Sequence, residues 1–237
     1  MEQKEINIIG YHAAIGALQN SNRRIISLRC TREFYNRNRI LIEKRKIKNF
    51  EIVSRKTIDS QAKNNFHQGV FIKCENLEKL NLDSISPNEK NLIILDSLND
   101  SQNVGSIIRT AFLFGIKTII FNKDNSFEIN QFLIKAASGA FEKIKIIEVT
   151  NINRTLESLK KKGFWSLGLD TKSKNNLESI PKDIKKVIIF GSEGKGISPL
   201  IIKNCDFTAR IDLPVRDKFI DSLNVSNSVC LVLYKFM

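Results

Sequence analysis

From Asn91 onward the apolar residues fall into short continuous blocks: NLIILD (91–96), KTIIF (117–121), KIKIIEV (143–149), FWSLGLD (164–170), KVIIF (186–190) and ARIDL (209–213). Between them, helical spacing predicts helices near Val104 to Phe114, Asn130 to Ser138, Ile152 to Lys162 and Pro199 to Lys203, with a last helix from Ser222 to Phe236. Strands that are apolar throughout and alternate with helices imply an α/β fold whose parallel sheet is covered on both faces. Ligands of such sheets sit at the carboxyl ends of the strands, so the loops that follow them are where chemistry is sought.

Residues 7–73 carry a different pattern. Helix is predicted over Tyr11 to Leu18, Glu33 to Ile47 and Ile58 to Asn64, and strand over Arg24 to Leu28, Glu51 to Val53 and Val70 to Lys73, enough for a small α/β sandwich. The stretch ENLEKLNLDSISPNEK (75–90) loses periodicity and gathers Asn, Ser and Pro87. The expected organisation is therefore a domain over 1–75, a linker over 76–90 and a second domain over 91–237.

Composition narrows the function classes. No apolar run follows Met1 as in a signal peptide, and none approaches the roughly 18 residues needed to span a bilayer, so a cytoplasmic protein without membrane association is expected. Cys30, Cys74, Cys205 and Cys230 stand far apart, with His12 and His67 the only histidines. That spacing predicts reduced structural thiols and no metal site. The net charge of +13 is concentrated: residues 21–56 hold twelve Lys and Arg against Glu33, Glu43 and Glu51. Arg23, Arg24, Arg29, Arg32, Arg37 and Arg39 form a candidate RNA-binding cluster, although a solvated basic face would read the same way.

Three segments of the second domain carry candidate chemistry. In LIILDSLNDSQNVGSIIRTAFLFG (92–115), Val104, Ile107, Ile108, Ala111 and Phe112 form an apolar stripe. Asn103 is placed to cap the helix, and Arg109 lies off the stripe one turn beyond Gly105. In VIIFGSEGKGISPL (187–200), Gly191, Gly194 and Gly196 let backbone amides approach a ligand, while Glu193 disfavours a phosphate. In ARIDLPVRDKFIDSLNVSNSVCLVLYKF (209–236), Ser222 and Asn224 fall in the first turn of a helix that buries Val225, Val229, Val232 and Phe236. Each segment also reads as ordinary capping and turn chemistry when taken alone.

Together the segments resemble the motif set of the SpoU (TrmH-like) branch of the SPOUT RNA methyltransferases. The likeness rests on Asn103-x-Gly105-x3-Arg109, Phe190-Gly191-x-Glu193-x-x-Gly196 and Ser222-Leu223-Asn224-Val225-Ser226. The first domain is similar to the L30e-like substrate-binding domain of the family, through Gly10-Tyr11-His12-Ala13-Ala14 and His67-Gln68-Gly69-Val70. That likeness favours the RlmB-like branch, which methylates guanosine 2′-hydroxyls of 23S rRNA.

The resemblance implies S-adenosylmethionine as cofactor, structured RNA as substrate, a C-terminal trefoil knot and a homodimer. It further implies Arg109, Asn103, Glu193, Ser222 and Asn224 as the catalytic set, with Gly191, Gly194, Leu213 and Leu223 at the cofactor. Two departures stand out: the loop 215–221 lacks the glycine usual in the third motif, and Lys145 replaces a frequent proline after Ser138-Gly139-Ala140. A tRNA ribose methyltransferase and an inactive RNA-binding or ribosome-assembly protein remain open as alternatives. A Rossmann methyltransferase is disfavoured, because NLIILD leads into SLNDSQNVG and not into a G-x-G loop.

Overall fold

A computed structural model describes residues 5–63, 66–124, 127–215 and 222–237. In chain order the elements are β1 (Glu5–Ile9), α1 (Tyr11–Gln19), β2 (Ile25–Cys30), α2 (Arg32–Lys44), β3 (Asn49–Ile52), α3 (Arg55–Gln61) and β4 (Val70–Glu75). There follow β5 (Asn91–Asp96), α4 (Ser101–Leu113), β6 (Thr118–Asn122), α5 (Gln131–Ala136), β7 (Lys145–Val149), α6 (Ile152–Lys161) and β8 (Trp165–Leu169). The chain closes with β9 (Lys186–Gly191), α7 (Pro199–Asn204), β10 (Phe207–Ala209) and α8 (Val225–Phe236). The predicted helix ending at Asn64 stops at Gln61, and Asn64 itself lies outside the described residues. Strand β1 is absent from the sequence expectation.

Contacts divide the chain into two compact units, residues 1–78 with 129–143, and residues 79–128 with 144–237. In the first unit the sheet order is β1-β4-β2-β3, with β2 and β3 parallel and the other pairs antiparallel. Residues 129–143 join this unit through a side-chain cluster. Glu142 takes the guanidinium of Arg23 at 2.6 Å and the amide of Asn20 at 2.8 Å, and both charged side chains are 1% exposed. Arg23 also donates to the Glu75 carbonyl at 2.8 Å. Helix α1 approaches the same segment so closely that a Cβ on Gly16 would lie 2.8 Å from the Cα of Gly139. Arg23 is therefore a buried structural charge, which corrects its expected place in an RNA-facing cluster.

The second unit holds an entirely parallel sheet in the order β10-β8-β9-β5-β6-β7. Ile94, Ile120, Ile147 and Ile189 lie side by side in its core. Residues 79–90 pack on this unit: Leu80 bridges Ile147, and Ile85 enters the core. Glu89 is buried there, accepting from Thr118 Oγ1 at 2.7 Å, Ser86 N at 3.0 Å and Lys145 Nζ at 3.1 Å. Burial pushes its carboxyl up, but the hydrogen bonds from Thr118, Ser86 and Lys145 outweigh burial and hold it below the usual range. Lys145 also donates to the Ser84 carbonyl. The replacement of proline at 145 thus ties the segment before β5 to the entrance of β7.

Candidate active site

Strands β5 and β9 are parallel neighbours, and the order of the sheet runs outward in opposite directions from them. This is the switch point at which open α/β sheets leave a crevice for ligands. The two strands end in register, Asp96 beside Gly191. From Asp96 the chain enters α4, and from Gly191 it enters the glycine loop.

The glycine loop is folded tightly on itself. Ser192 bridges Gly196, whose amide donates to the Ser192 carbonyl at 2.8 Å. A Cβ on Gly191 would lie 2.1 Å from the carbonyl carbon of Gly196, so the crossing backbones exclude any side chain at 191. Gly194, by contrast, is exposed, and a Cβ there would meet nothing within 4 Å. The loop's exit is pinned by Asp96, buried at the end of β5, which accepts from Ser198 N at 2.8 Å and Ser97 Oγ at 3.1 Å. Sequence reasoning missed Asp96; the available signal was a carboxylate closing an otherwise apolar strand.

Three of the predicted site residues meet directly. Asn103 Nδ2 donates to Glu193 Oε1 at 3.1 Å, while Asn224 Nδ2 donates to the same oxygen at 2.7 Å and to Asn103 Oδ1 at 2.9 Å. The amide of Val225 completes the set with a 3.3 Å bond to Glu193 Oε1. One carboxylate oxygen therefore joins the first turn of α4 to the start of α8, and the two helices pack against each other.

Capping differs from expectation. Asp100 caps α4 by accepting from Gln102 N at 2.7 Å, which leaves the Asn103 side chain for the network. Asn224 caps α8 by accepting from Ser226 N at 2.9 Å, so α8 begins at Val225 and Ser222 precedes it. Ser222 and Arg109 are both exposed, Arg109 on α4 one turn past buried Gly105. Leu213 and Leu223 are half-buried on either side of the loop 215–221. Residues 216–221, where the family glycine is lacking, lie outside the described residues.

This arrangement can hold a small ligand against exposed backbone at the end of a sheet, with a carboxylate and two carboxamides fixing the helices around it. Residues 90–234 match the model of the SpoU rRNA methylase family, and residues 7–80 match that of RNA 2′-O ribose methyltransferase substrate binding. The chain belongs to the SpoU rRNA methylase family. Over 97% of its length it is 33% identical to a 23S rRNA (guanosine-2′-O-)-methyltransferase, RlmB, of Coxiella burnetii, covering 94% of that protein.

Two solved structures are similar over nearly the whole chain. An rRNA methyltransferase from Sinorhizobium meliloti with AdoMet bound has a TM-score of 0.83 at 22% identity, covering 99% of this chain and 87% of that one. The SpoU methyltransferase AviRb from Streptomyces viridochromogenes, in complex with AdoMet, has a TM-score of 0.84 at 18% identity, covering 98% and 89%. The expected fold class of the C-terminal sheet agrees with both. Among the described residues, no helix is long and apolar enough to cross a membrane.

Proposed function

We propose that this protein transfers a methyl group from S-adenosylmethionine to a ribose 2′-hydroxyl of structured RNA, with a guanosine of large-subunit rRNA as its target. The observation that carries the reading is the Asn103–Glu193–Asn224 network at the switch point, which gathers one residue from each of the three family motifs. In this reading residues 1–75 recognise RNA, residues 91–237 hold the chemistry, and the trefoil knot implied by the family lies in the last two motifs. The likeness to a 23S rRNA (guanosine-2′-O-)-methyltransferase over 97% of the chain supports rRNA over tRNA as the target.

The proposed cofactor fits the glycine loop. In this reading the backbone at Gly191 and Gly194, with half-buried Leu213 and Leu223, would hold the cofactor, and the carboxylate of Glu193 suits a cationic ligand better than an anionic one. When bound, the sulfonium would supply an electrophilic methyl group: the ribose O–CH₃ bond would form as the S–CH₃ bond breaks, S-adenosylhomocysteine would leave as the neutral thioether, and the hydroxyl proton would pass to water.

The protein's task is to position that hydroxyl. Arg109 is never a base at neutral pH, because a guanidinium keeps its proton. It holds the adjoining RNA phosphate and stabilises the developing alkoxide, while Ser222 and Asn224 orient the ribose. Glu193 and Asn103 hold the two helices that present these groups.

The test is methylation of purified rRNA fragments and tRNA by the purified protein, together with mapping of 2′-O-methyl sites in rRNA from cells with and without it. A missing rRNA site in the deletion strain is expected; methylation of tRNA alone would move the target to tRNA. Failure of the protein to bind S-adenosylmethionine in calorimetry would make it an RNA-binding protein that has kept the fold.

A further inference from the structure

The arginines that made residues 21–56 look like the RNA surface are largely matched by carboxylates. Arg24 pairs with Glu75 at 3.1 Å, Arg29 with Glu51 at 2.8 Å, Arg37 with Glu33 at 2.8 Å and Arg39 with Glu43 at 2.8 Å. These are solvent-exposed pairs of little energy, and they offset only part of the basic run. A different surface of the same unit joins a half-buried lysine to exposed aromatic rings.

The two N-terminal motifs converge at the start of α1. Gly10 N donates to the His67 carbonyl at 3.2 Å, and Tyr11 N donates to Gln68 Oε1 at 2.8 Å. His67 is buried and fully engaged, with Nδ1 accepting from Gly69 N at 3.0 Å and Nε2 2.8 Å from Asp59 Oδ1. This turn is fixed by its own hydrogen bonds, and the residue that opens it, Phe66, is 62% exposed.

The ammonium of Lys135 lies 5.1 Å from the centroid of the Phe66 ring. One turn earlier on α5, Phe132 is 44% exposed, and its helix is held in place by the Asn130 cap at 3.0 Å and 3.1 Å. Residues three apart on a helix are surface neighbours, so Phe132 and Lys135 share a face. Two solvent-facing phenyl rings beside a lysine contribute little to a core. They have the chemistry of a stacking platform for unpaired nucleobases, in which every base offers a π-face and the cation meets the backbone.

We propose that Phe66, Lys135 and Phe132 form a subsite that stacks an unpaired nucleotide of the RNA substrate. The subsite rests on the reading of this protein as an RNA-modifying enzyme, and it predicts that the substrate presents a loop or bulge to the N-terminal unit. Duplex RNA, with its bases stacked inside, would gain nothing from it.

The experiment titrates the full-length protein into a single-stranded adenosine-rich 12-mer carrying one 2-aminopurine, and into the same strand fully paired. Wild-type protein quenches the 2-aminopurine of the single strand on binding. Phe66→Ala and Phe66→Leu weaken that binding about tenfold, as loss of one stacked base does, and leave duplex binding unchanged. Phe66→Trp restores it. Lys135→Ala lowers the slope of log affinity against log salt by about 0.7, the value for one phosphate of a single strand. Thermal melting of each variant confirms the fold.

Wild-type affinity for the single strand in both Phe66→Ala and Phe66→Leu overturns the subsite, as does equal weakening of single strand and duplex. Methylation assays with the same preparations separate the two readings. A wild-type protein that methylates no RNA, yet keeps the Phe66 dependence of binding, overturns the proposed function and not the subsite.

Discussion

Glu193 Oε1 takes three donors, from Asn103, Asn224 and Val225, in a setting open to water. Removing it leaves donors that solvent can satisfy, so the effect falls on geometry and not on global stability. Glu193→Ala is expected to slow methyl transfer about tenfold while changing unfolding stability by less than about 1 kcal/mol. Glu193→Gln, which keeps an acceptor oxygen, is expected to retain most of the rate. Single-turnover rates and urea melts on the same preparations check both. Arg109→Ala has a different signature: loss of a charge-assisted contact to a developing oxyanion costs about 3 kcal/mol, on the order of a hundredfold in rate, with the Kd for S-adenosylmethionine unchanged. Arg109→Lys is expected to recover little, since an ammonium lacks the planar fork. A variant that loses cofactor and rate together would put Arg109 in the wrong role. Asn103, Glu193 and Asn224 were legible in the sequence as members of one site. Which asparagine caps and which reaches across was not, because Asp100 and Asn103 both suit a cap and the choice is made by a partner 90 residues away.

At the scale of elements, strand and helix types after Asn91 were legible because buried parallel strands read as unbroken apolar runs, save that the last strand lies at Phe207–Ala209 and not over 209–213. The allegiance of α5 was not. Its segment follows the sequence rhythm of the second unit, yet the contacts place residues 129–143 with the first. Besides the packing of α5 on β1, a physical cause is the Arg23–Glu142 pair, whose members lie 119 residues apart and give no local signal. In composition Arg23 is one more basic residue among twelve. Glu142→Ala strands a buried guanidinium, and breaking such a pair typically costs about 3–5 kcal/mol. Urea unfolding should detect this directly. The double variant Arg23→Met/Glu142→Leu is expected to recover most of the loss, since apolar replacement removes both desolvated charges together. If Glu142→Ala melts like the wild type, the pair does not hold the segment. Arg23→Ala is accordingly a stability variant, and weaker RNA binding in it would report a damaged domain.

At the scale of the whole molecule, the order of strands was beyond the sequence, because period and propensity say nothing about which parallel neighbours pair. The outer face of α8 raises the remaining question of assembly. Its inner residues Val225, Val229, Val232 and Phe236 are buried as the sequence stripe predicted. On the opposite side Asn227, Cys230, Leu231 and Tyr234 recur at helical spacing, with Leu231 45% and Tyr234 79% exposed. Exposed apolar residues on one stripe mark an interaction surface. A homodimer, which the family resemblance implies, would cover this face symmetrically. Cys230 makes the prediction measurable. The thiols of Cys30 and Cys74 are pushed up to about 11 and that of Cys205 to about 12, in each case chiefly by burial, so they resist a thiol reagent at neutral pH. Cys230 is exposed in the single chain. If two α8 helices meet, its reaction with an aromatic disulfide reagent should slow as protein concentration rises, and sedimentation should give twice the chain mass. Tyr234→Asp should restore fast, concentration-independent labelling and halve the sedimenting mass. Fast labelling of wild-type protein at every concentration would show that α8 does not form the dimer interface.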